Sequence, residues 1–428
     1  MSRHIIIDLG ASSGRILSGN TAGELCEHFR FKVNSRQSDG RLRWDISELL
    51  DNIRKGLSTA LAEITENVSS ISCDSWSQDF VLLDESDQLL GDPVCYRDEL
   101  LAHAPELLKQ SGIDNIPGKI STLHQLAVMQ KFEQARLSKA CTLLNIADYI
   151  NYTLSGQKFC NYSMLAAGKL LDSNGKLAVD LLKKLNIDHK LLAPSASVQV
   201  IGRFNIFRHE KMADAFVVSG VSHDTAAAFM AEPLQSGQAI VIMGTWAMAG
   251  IVTTPADAVN RDKLLGITPE LSAYSGGVPG MWAVNSCIDE WKKQGVFPNF
   301  AEFDRQSSES QFAGSFRAQW SDTPITPETI TRYFAERSEK APETLGDFGK
   351  ALNCGIAETV HEVLENLQQQ STIKLQSLIV CGGGGSRNLP LMELLAKITN
   401  CTVTAGTVEA TAVGNLICQK QALEKSIF

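Results

Sequence analysis

Short apolar runs alternate along the chain with longer segments in which apolar residues recur every three or four positions. The short runs have the length and the β-branched content of buried strands, and the longer segments have the period of amphipathic helices. Asp45 precedes the first of these helical segments as a candidate N-cap. The alternation predicts an α/β fold. In the first half the predicted strands cover residues 4–9, 15–18, 69–73, 80–83 and 215–218, and the predicted helices cover residues 46–67, 99–110 and 122–135.

The same order of elements begins again near residue 239. In each half a strand, a turn of small residues and a returning strand come first, which is the pattern of a β-hairpin. We therefore predict two similar domains, residues 1–230 and 231–428, joined within residues 226–237. In the second half the predicted strands cover residues 239–243, 248–253, 377–381 and 401–404, and the predicted helices cover residues 346–369 and 389–398.

The charge and cysteine content exclude several classes of function. The 428 residues include 39 Lys and Arg against 48 Asp and Glu, for a net charge of −9, and no basic cluster is present. Such a chain is a poor candidate for binding nucleic acid or an anionic membrane. No apolar run approaches the ~20 residues of a membrane span, and Asp8 interrupts the first apolar run, unlike in a signal peptide. The ten cysteines are scattered without a Cys-x-x-Cys pair, so we predict reduced thiols and a cytoplasmic protein.

The turn at residues 10–14 is the first candidate for chemistry. A turn of small residues brings backbone N–H groups together as an anion-binding nest, and Asp8 at the end of the preceding strand suits Mg²⁺ held through water. Taken alone, the segment favours a plain hairpin with a solvated aspartate. The turn also matches the Gly-x-Ser-x-Gly pattern of hydrolases, but that pattern requires a strand-to-helix turn, and here a strand follows.

A run of four glycines at residues 382–385 lies between a predicted strand and a predicted helix. This is the context of a dinucleotide site, but Arg387 stands where the third glycine of that fingerprint belongs. The next strand ends in Ala405 and Gly406 rather than in an acidic residue. A nicotinamide cofactor is therefore disfavoured, whereas a glycine surface beside an adenine or a ribose remains open. The chain has no Gly-x-x-x-x-Gly-Lys sequence, so any ATP would be bound without a P-loop.

The segment 222–226 follows the predicted strand 215–218. Asp224 would then lie at a strand end, where open α/β sheets bind ligands, and its carboxylate could accept a proton. The same residue could instead be the N-cap of a helix that continues through Ala226. The segment alone leaves the two interpretations even, and His223 is predicted to be structural rather than catalytic.

Taken together, these segments resemble the FGGY carbohydrate kinases, and most closely the rhamnulokinases among them. The resemblance runs in order over nearly the whole chain. Residues 8–15 resemble the first phosphate hairpin and residues 244–246 the second. Residues 383–385, 408–410 and 414–415 match the adenosine segment in spacing. The segments that resemble the sugar side of rhamnulokinases are 74–76, 79–83, 96–98 and 222–226, together with Asn285.

The resemblance implies the duplicated fold of actin and hexokinase, with two ribonuclease H-like domains and a cleft between them. It implies ATP as the phosphoryl donor, Mg²⁺ held by Asp8, and Asp224 as the catalytic base. It places ATP at Gly10, Ala11, Ser12, Ser13, Arg15, Gly244, Thr245, Gly383, Gly384, Gly385 and Asn388. It places the sugar at Asp74, Trp76, Ser77, Asp98, His223, Asp224, Thr225 and Asn285.

The chain departs from the rhamnulokinase pattern at three places. Ser77 replaces a glycine, Leu100 replaces an arginine, and the glutamine expected near Lys293 is missing. We expect a small sugar as substrate, a ketose such as L-rhamnulose first and then L-fuculose or a xylulose, and a monomer or homodimer. The departures motivate one alternative, a catalytically silent sugar or nucleotide sensor. An actin-like or chaperone-like ATPase with a protein client is a third interpretation.

Overall fold

The computed structural model describes residues 2–114, 116, 118, 120–235, 237–261, 264–318 and 324–426. Met1, Ser236 and Phe428, which belong to the predicted domains and their junction, lie outside the described residues. The strands are β1 (Arg3–Leu9), β2 (Ser13–Asn20), β3 (Leu25–Lys32), β4 (Ser35–Ser38), β5 (Arg41–Trp44), β6 (Val68–Ser75), β7 (Phe80–Leu83), β8 (Thr142–Asn145), β9 (Cys160–Asn161), β10 (Ser195–Ala196), β11 (Gln199–Arg203), β12 (Phe216–Ser219), β13 (Gln238–Met243), β14 (Ala247–Thr253), β15 (Leu264–Gly266), β16 (Ser272–Val278), β17 (Ser377–Cys381) and β18 (Thr402–Ala405). The α-helices are α1 (Ile46–Glu63), α2 (Ala104–Gln110), α3 (Thr122–Phe132), α4 (Gln134–Leu137), α5 (Ile146–Ser155), α6 (Tyr162–Ala167), α7 (Val179–Lys184), α8 (Asp224–Phe229), α9 (Trp282–Lys293), α10 (Phe300–Glu309), α11 (Pro327–Ala335), α12 (Leu345–Ser371), α13 (Leu389–Thr399) and α14 (Ala410–Ser426).

The chain forms two compact units. The first comprises Met1–Ala231, Arg261–Ser272 and Thr411–Phe428, and the second comprises Glu232–Asn260 and Ala273–Ala410. Two segments from the second half of the sequence therefore pack with the first unit. The division of the chain into domains at residues 230 and 231 stays a prediction.

The first unit is built on a sheet of six strands in the order β11-β12-β6-β1-β2-β3. Strands β12, β6 and β1 run parallel, whereas β1 and β2 form the predicted antiparallel hairpin. Strand β1 is buried on both faces, as its unbroken apolar run indicates. Ile5 and Ile7 lie in the main core, and Ile6 packs on the other face against Leu416 of α14.

The second unit repeats this arrangement with the strand order β16-β14-β13-β17-β18. Strands β13 and β14 form an antiparallel hairpin, and β13, β17 and β18 run parallel. The prediction of an α/β fold in which the hairpin occurs twice is confirmed. Beside this sheet, Trp291 of α9 packs on Phe303 of α10 and Phe348 of α12, with ring centroids 5.6 and 5.8 Å apart.

Several predicted elements differ at their ends. The Asp45 side chain caps α1 by accepting from Glu48 N at 3.0 Å, but the helix ends at Glu63 because Ile64 is extended. The predicted helix 99–110 is a 3₁₀ turn followed by α2, and Pro105 lies in the first turn of α2, where its missing N–H costs no helical bond.

Among the described residues, no helix has the length and apolar content required to cross a bilayer.

Candidate functional site

Three carboxylates of the first unit lie near the carboxyl edge of its parallel strands. Asp8 stands one residue before the end of β1, and the register of β1 and β6 places Asp74 beside it. Asp224 begins α8, and the hydrogen bond from Ser75 N to Ser222 O, 2.8 Å long, ties the segment before this helix to the end of β6. Open parallel sheets bind their ligands at this edge, so the topology makes the three acidic groups candidates for a functional site.

Asp8 is held by the hairpin that follows it. The Asp8 carboxylate forms an ion pair with Arg15, whose Nε lies 3.2 Å from Asp8 Oδ2. Gly10 N donates to Ser13 O at 2.9 Å and closes the turn, so Ala11, Ser12 and Ser13 project at its tip. The residues of this hairpin that are predicted to bind phosphate thus lie together. Arg15 is held beside them by its ion pair with Asp8.

Asp74 is completely buried, with 0% of its surface exposed. Asn415 Nδ2 of α14 donates to its Oδ2 at 2.6 Å, and its Oδ1 has no partner among the described residues. Burial first, and then the neighbouring Asp8, raise the pKa of Asp74 well above its usual range. Asp74, a predicted sugar-binding residue, is therefore buried inside the protein and hydrogen-bonded to α14. Its role in binding the sugar stays a prediction.

A chain of polar side chains continues from Asn415 through the interior of the first unit. Gln419 Nε2 donates both to Asn415 Oδ1 at 2.8 Å and to Ile5 O at 3.0 Å. Ser70 Oγ donates to Gln419 Oε1 at 2.6 Å. The resemblance assigns Asn415 to the adenosine segment, whereas the structure bonds it to Asp74. The sequence analysis missed Gln419, because a polar residue on a terminal helix carries no signal that it is buried.

Asp224 is the most accessible of the three carboxylates, with 31% of its side chain exposed. Its Oδ1 accepts from Thr225 N and lies 3.4 Å from His223 Nε2, whereas its Oδ2 has no hydrogen-bond partner in the described part of the chain. Withdrawal from water raises the pKa of Asp224 to about 7, with a further increase from Asp8. Such a pKa suits a general base at neutral pH.

His223, and not Asp224, occupies the N-cap position of α8, and no side-chain capping bond is present. The prediction of Asp224 as an N-cap is therefore wrong, because the helix begins two residues earlier than Ala226. His223 N donates to Ser163 Oγ at 3.0 Å, which fixes the backbone before the helix. Burial lowers the pKa of His223 to about 4, so its imidazole is neutral beside Asp224. Thr225 follows in the first turn and is partly exposed.

The remaining predicted sugar residues of the first unit are nearly inaccessible. Trp76 Nε1 donates to Asp79 Oδ2 at 2.8 Å, and the Trp76 ring lies 4.7 Å from that of Trp44. Asp98 accepts from Arg41 Nε at 2.8 Å and from Leu42 N at 2.7 Å. Trp76, Ser77 and Asp98 are 4%, 1% and 6% exposed. These side chains stabilise the β5–β6 region, and a direct contact with the sugar stays a prediction for each of them.

In the second unit the turn of the β13–β14 hairpin contacts the start of α9. Met281 N donates to Gly244 O at 2.9 Å, and Trp282 N donates to Thr245 O at 3.1 Å. Gly382, at the end of β17, has φ of +92°, and a Cβ there would lie 2.5 Å from Met243 O. Only glycine allows this close approach of the two strand ends. The hairpin turn and the glycine run are thereby fixed next to each other.

A cavity of about 780 Å³ opens beside the glycine run, within the second unit. The predicted nucleotide residues Gly383, Gly384 and Asn388 line it, whereas Gly385 is buried beneath them against Met243. Asn285 of α9 lines the same cavity, so the structure groups this predicted sugar residue with the predicted nucleotide residues.

The opposite walls of the cavity come from α10 and the start of α13, which the sequence analysis did not identify as site elements. Phe300 of α10 and Leu389 of α13 are 57% and 65% exposed although both are apolar. Asp304, one helical turn after Phe300, also lines the cavity. The Asn388 side chain caps α13 by accepting from Leu391 N at 3.0 Å. Together these groups form an apolar slot with a few polar groups, the usual character of a small-molecule site.

No group of three or more His, Cys, Asp or Glu side chains with metal-binding geometry occurs among residues 2–114, 116, 118, 120–235, 237–261, 264–318 and 324–426. The assignment of Mg²⁺ to Asp8 stays a prediction in which one protein carboxylate holds the ion. This fits Mg²⁺, which commonly takes one or two carboxylates together with waters and substrate phosphates.

Comparison with known proteins identifies the family of the chain. The sequence model of the FGGY family of carbohydrate kinases, N-terminal domain, matches residues 4–231, and that of the C-terminal domain matches residues 239–423. The rhamnulokinase of Oceanobacillus iheyensis is 27% identical over 445 aligned residues, covering 99% of this chain and 93% of the relative. The rhamnulokinase of Enterococcus faecalis is 29% identical, covering 97% of this chain and 88% of the relative.

Solved structures share the fold at lower sequence identity. Xylulose kinase from Lactobacillus acidophilus, with bound ligand, superposes with a TM-score of 0.79 at 15% identity, covering 99% of this chain and 90% of the other. Glycerol kinase from Plasmodium falciparum with ADP gives a TM-score of 0.74 at 15% identity, with the same coverage. The two family models and the rhamnulokinase relatives define the protein as a carbohydrate kinase, a phosphotransferase whose acceptor is a sugar hydroxyl. The chain belongs to the FGGY family of carbohydrate kinases, which use ATP as a substrate.

Proposed function

We propose that this kinase transfers the γ-phosphoryl group of ATP to a hydroxyl of a ketose such as L-rhamnulose, with Asp224 as the general base. The observation that carries the proposal is the free Oδ2 of Asp224, a partly exposed carboxylate oxygen at the carboxyl edge of the first sheet. The ketose is supported by the rhamnulokinase relatives. L-Fuculose and xylulose follow as candidates because Ser77 and Leu100 depart from the rhamnulokinase pattern.

In this mechanism Asp224 accepts the proton of the attacking hydroxyl as the sugar oxygen bonds to the γ-phosphorus of ATP and ADP leaves. The neutral His223 beside Oδ1 leaves the negative charge of the base uncompensated, which favours its acceptance of a proton. A hydroxyl within ~2.6–3.2 Å of Oδ2 would be in range for the transfer. Much of the rate enhancement then comes from holding the two reactants in line.

The nucleotide would be bound by the hairpin turns and by the cavity of the second unit. In the second unit, the backbone N–H groups of Gly244 and Thr245 are candidates for binding phosphate, and Gly383 and Gly384 form a flat surface for the nucleoside. In the first unit, the turn Ala11–Ser13 is by itself a further candidate for binding phosphate. Bound Mg²⁺ would offset charge on the transferred phosphoryl group. Asp8 would hold this ion through water, while its ion pair with Arg15 fixes the carboxylate.

The ten cysteines, all in the described part of the chain, are free thiols. This supports the proposal that the enzyme works in the reducing cytoplasm.

The proposed function is tested by measuring ADP release with ATP and Mg²⁺ over a panel of ketoses and polyols. We expect L-rhamnulose, L-fuculose or a xylulose to raise ADP release well above the rate without sugar. If no member of the panel does so, the ketose assignment is wrong. If aldoses and aldonates also fail to raise ADP release, the result would instead support the alternative of a catalytically silent sensor.

Activity should depend on pH through the base. Because the pKa of Asp224 is raised to about 7, its carboxylate is mostly protonated at pH 6 and mostly ionised at pH 8. A general base must be ionised, so kcat/KM for the sugar should rise about tenfold from pH 6 to pH 8 and then level off. The measurement is a pH–rate profile at saturating ATP and Mg²⁺. A flat profile over this range would exclude Asp224 as the titrating base.

Replacement of Asp8 should change the requirement for Mg²⁺. Asp8→Asn removes the charge that holds the ion and also the charge paired with Arg15. Hydrogen bonds to charged groups contribute about 1.5–3 kcal/mol, so the Mg²⁺ concentration at half-maximal activity should rise about tenfold or more. Asp51→Asn, at an exposed position of α1, serves as the control. Identical Mg²⁺ titrations for Asp8→Asn and the wild type would contradict the role of Asp8.

A further inference from the structure

Lys169 follows helix α6 in a backbone conformation that lysine rarely adopts. Its φ is +59°, in the left-handed region. Lys169 N donates to Ala166 O at 3.1 Å, and the next residue, Leu170, donates from its N to Leu165 O at 2.9 Å. This pair of bonds is the Schellman motif, in which the left-handed position is usually a glycine. Because strained backbone is concentrated at functional sites, a lysine at this position indicates a requirement for its side chain.

The end of α6 lies against the segment that follows β6, where sugar-binding residues are predicted. Gly168 O accepts from Leu123 N, at the start of α3, at 3.0 Å. Thr122, the preceding residue of α3, donates from its Oγ1 to Gln78 O at 3.1 Å. A Cβ at Gly168 would lie only 2.8 Å from Thr122 Oγ1, so these segments are in close contact. The backbone of Lys169 is therefore fixed beside the predicted sugar residues of the first unit.

Two histidines indicate where the ammonium group of Lys169 lies. Burial first, and then the positive charge of Lys169, lower the pKa of His124 and lower that of His223 to about 4. The ammonium group is therefore within electrostatic range of both imidazoles, and His223 directly precedes the proposed base, Asp224. Both histidines are buried, with 1% and 7% of their surface exposed, and both are neutral at neutral pH. Lys169 thus contributes a single positive charge beside two uncharged rings.

This positive charge is not balanced by the protein. Lys169 is partly buried, and its ammonium group has no hydrogen-bond or ionic partner among the described residues. Burial lowers the pKa of Lys169. Lys158, by contrast, forms an ion pair with Asp87. A partly buried ammonium group without a counter-ion is unfavourable unless a ligand supplies the negative charge.

A carboxylate suits this position better than a phosphate or a hydroxyl does. An ammonium group forms its strongest hydrogen bonds with ionised oxygen atoms, and one carboxylate carries the one charge that Lys169 balances. A phosphate ester carries about two negative charges at neutral pH, and the neutral His124 and His223 supply no second cation. A sugar hydroxyl would leave the charge of Lys169 unpaired.

We propose that the acceptor of this kinase is a keto sugar acid, a ketose with a terminal carboxylate, and that Lys169 binds this carboxylate. The inference rests on the proposed function, since it names the class of ketose used in the same reaction. The γ-phosphoryl group passes to a hydroxyl of the sugar acid, ADP leaves, and the hydroxyl proton goes to Asp224. The carboxylate of the sugar takes no part in the chemical step. Because the chain carries a net charge of −9, an anionic substrate requires a local cation of this kind.

The experiment measures ADP release, with ATP and Mg²⁺, for keto sugar acids and for the neutral ketoses of the same carbon skeleton. The acids are D-fructuronate, 2-keto-D-gluconate and D-tagaturonate, and the neutral sugars are D-fructose and D-tagatose. In the wild type, kcat/KM for at least one acid should exceed that for its neutral counterpart by about tenfold or more, because hydrogen bonds between charged groups are strong.

Lys169→Met nearly preserves the length of the side chain and removes its charge. The acid/neutral ratio of kcat/KM should fall about tenfold or more in this variant. The fall should come from a higher KM for the acid, with kcat within about threefold of the wild type, because the lost contact is the same in the ground state and in the transition state. Use of the neutral ketoses should be retained.

Lys131→Met is the matched control, with the same substitution and the same change in net charge at an exposed position of α3. Its acid/neutral ratio should equal that of the wild type. Lys169→Gly removes the charge and suits the left-handed conformation, so its Tm should not fall below that of the wild type while its ratio falls as in Lys169→Met. An unchanged ratio in the two Lys169 variants, or an equal fall in Lys131→Met, would overturn the inference.

The sugars themselves separate this inference from the proposed function. If neutral ketoses raise ADP release and none of the acids does, only the inference about Lys169 is overturned. If neither class of sugar raises ADP release, the proposed function itself fails. D-Fructose 6-phosphate tests the other anion: its use in preference to the acids, lost in Lys169→Met, would overturn the assignment to a carboxylate. An equal loss for acidic and neutral sugars in Lys169→Met would assign the ammonium group to a sugar hydroxyl and would also overturn it.

Discussion

Asp224→Asn should lower the turnover of the sugar by about 10²–10⁴-fold, the usual range for loss of a general base. The substitution nearly preserves the shape of the side chain, and the amide oxygen can still accept from Thr225 N as Oδ1 does now. What it removes is the capacity of Oδ2 to accept a proton. The affinity for nucleotide should change little, because the proposed nucleoside cavity belongs to the second unit. Steady-state kinetics and nucleotide titration by calorimetry measure both quantities.

The matched control for this experiment is again Asp51→Asn, which changes the same group at a side chain that is 75% exposed. It should retain full turnover. A turnover of Asp224→Asn within twofold of the wild type would exclude Asp224 as the base. A variant with a reduced Tm and weakened nucleotide binding would instead assign Asp224 to the stability of α8.

Gly414→Ala should destabilise the first unit and lower its activity. A Cβ at Gly414 of α14 would lie only 1.8 Å from the carbonyl oxygen of Ala227 in α8. Neither backbone can yield locally, so the two helices must separate. Overpacking of this kind costs about 1–3 kcal/mol, equivalent to a fall in Tm on the order of 5–10 °C. The same displacement would draw Asn415 away from Asp74, so turnover should fall as well. Calorimetric melting and activity assays measure the two effects.

Gly277→Ala is the control for this prediction. Gly277 lies in β16, and a Cβ there would meet no atom within 4 Å. The Tm of this control should equal that of the wild type. If Gly414→Ala melts at the same temperature as Gly277→Ala, the close packing of α14 on α8 is not required for stability.

Much of the fold could be predicted because its signals are local. The apolar run of β1 and the small residues after it identify a strand and a tight turn, and the same signals recur at β13. The association of α14 with the first unit could not be predicted. It depends on the contact between Gly414 and Ala227 and on the bond between Asn415 and Asp74, both between residues far apart in sequence.

The candidate site likewise contains some residues that the sequence could predict and others that it could not. Asp8 and Asp224 could be singled out as candidates because they stand beside strand ends, where the topology of a parallel sheet places its ligands. Only the resemblance favoured a functional role over a structural one for each of them, and those roles stay predictions. Asp98 was predicted as a sugar-binding residue by resemblance, yet in the structure its carboxylate accepts hydrogen bonds from Arg41 Nε and Leu42 N. Asp304 carried no signal, because a single acidic residue on an amphipathic helix is usually solvated. Only the packing of α10 against the cavity places Asp304 in its wall.

The placement of α14 has a consequence for how the chain matures during synthesis. Residues 411–426 complete the core of the first unit around Leu416, yet residues 232–260 and 273–410 of the second unit are translated before them. Until then Ile6 and Leu17 lack their apolar cover, and Asp74 lacks its hydrogen-bond donor. We therefore expect the first unit to remain an incompletely folded intermediate while the second unit is synthesised. A fragment that stops at residue 231 would reproduce that intermediate and should bind chaperones rather than sugar.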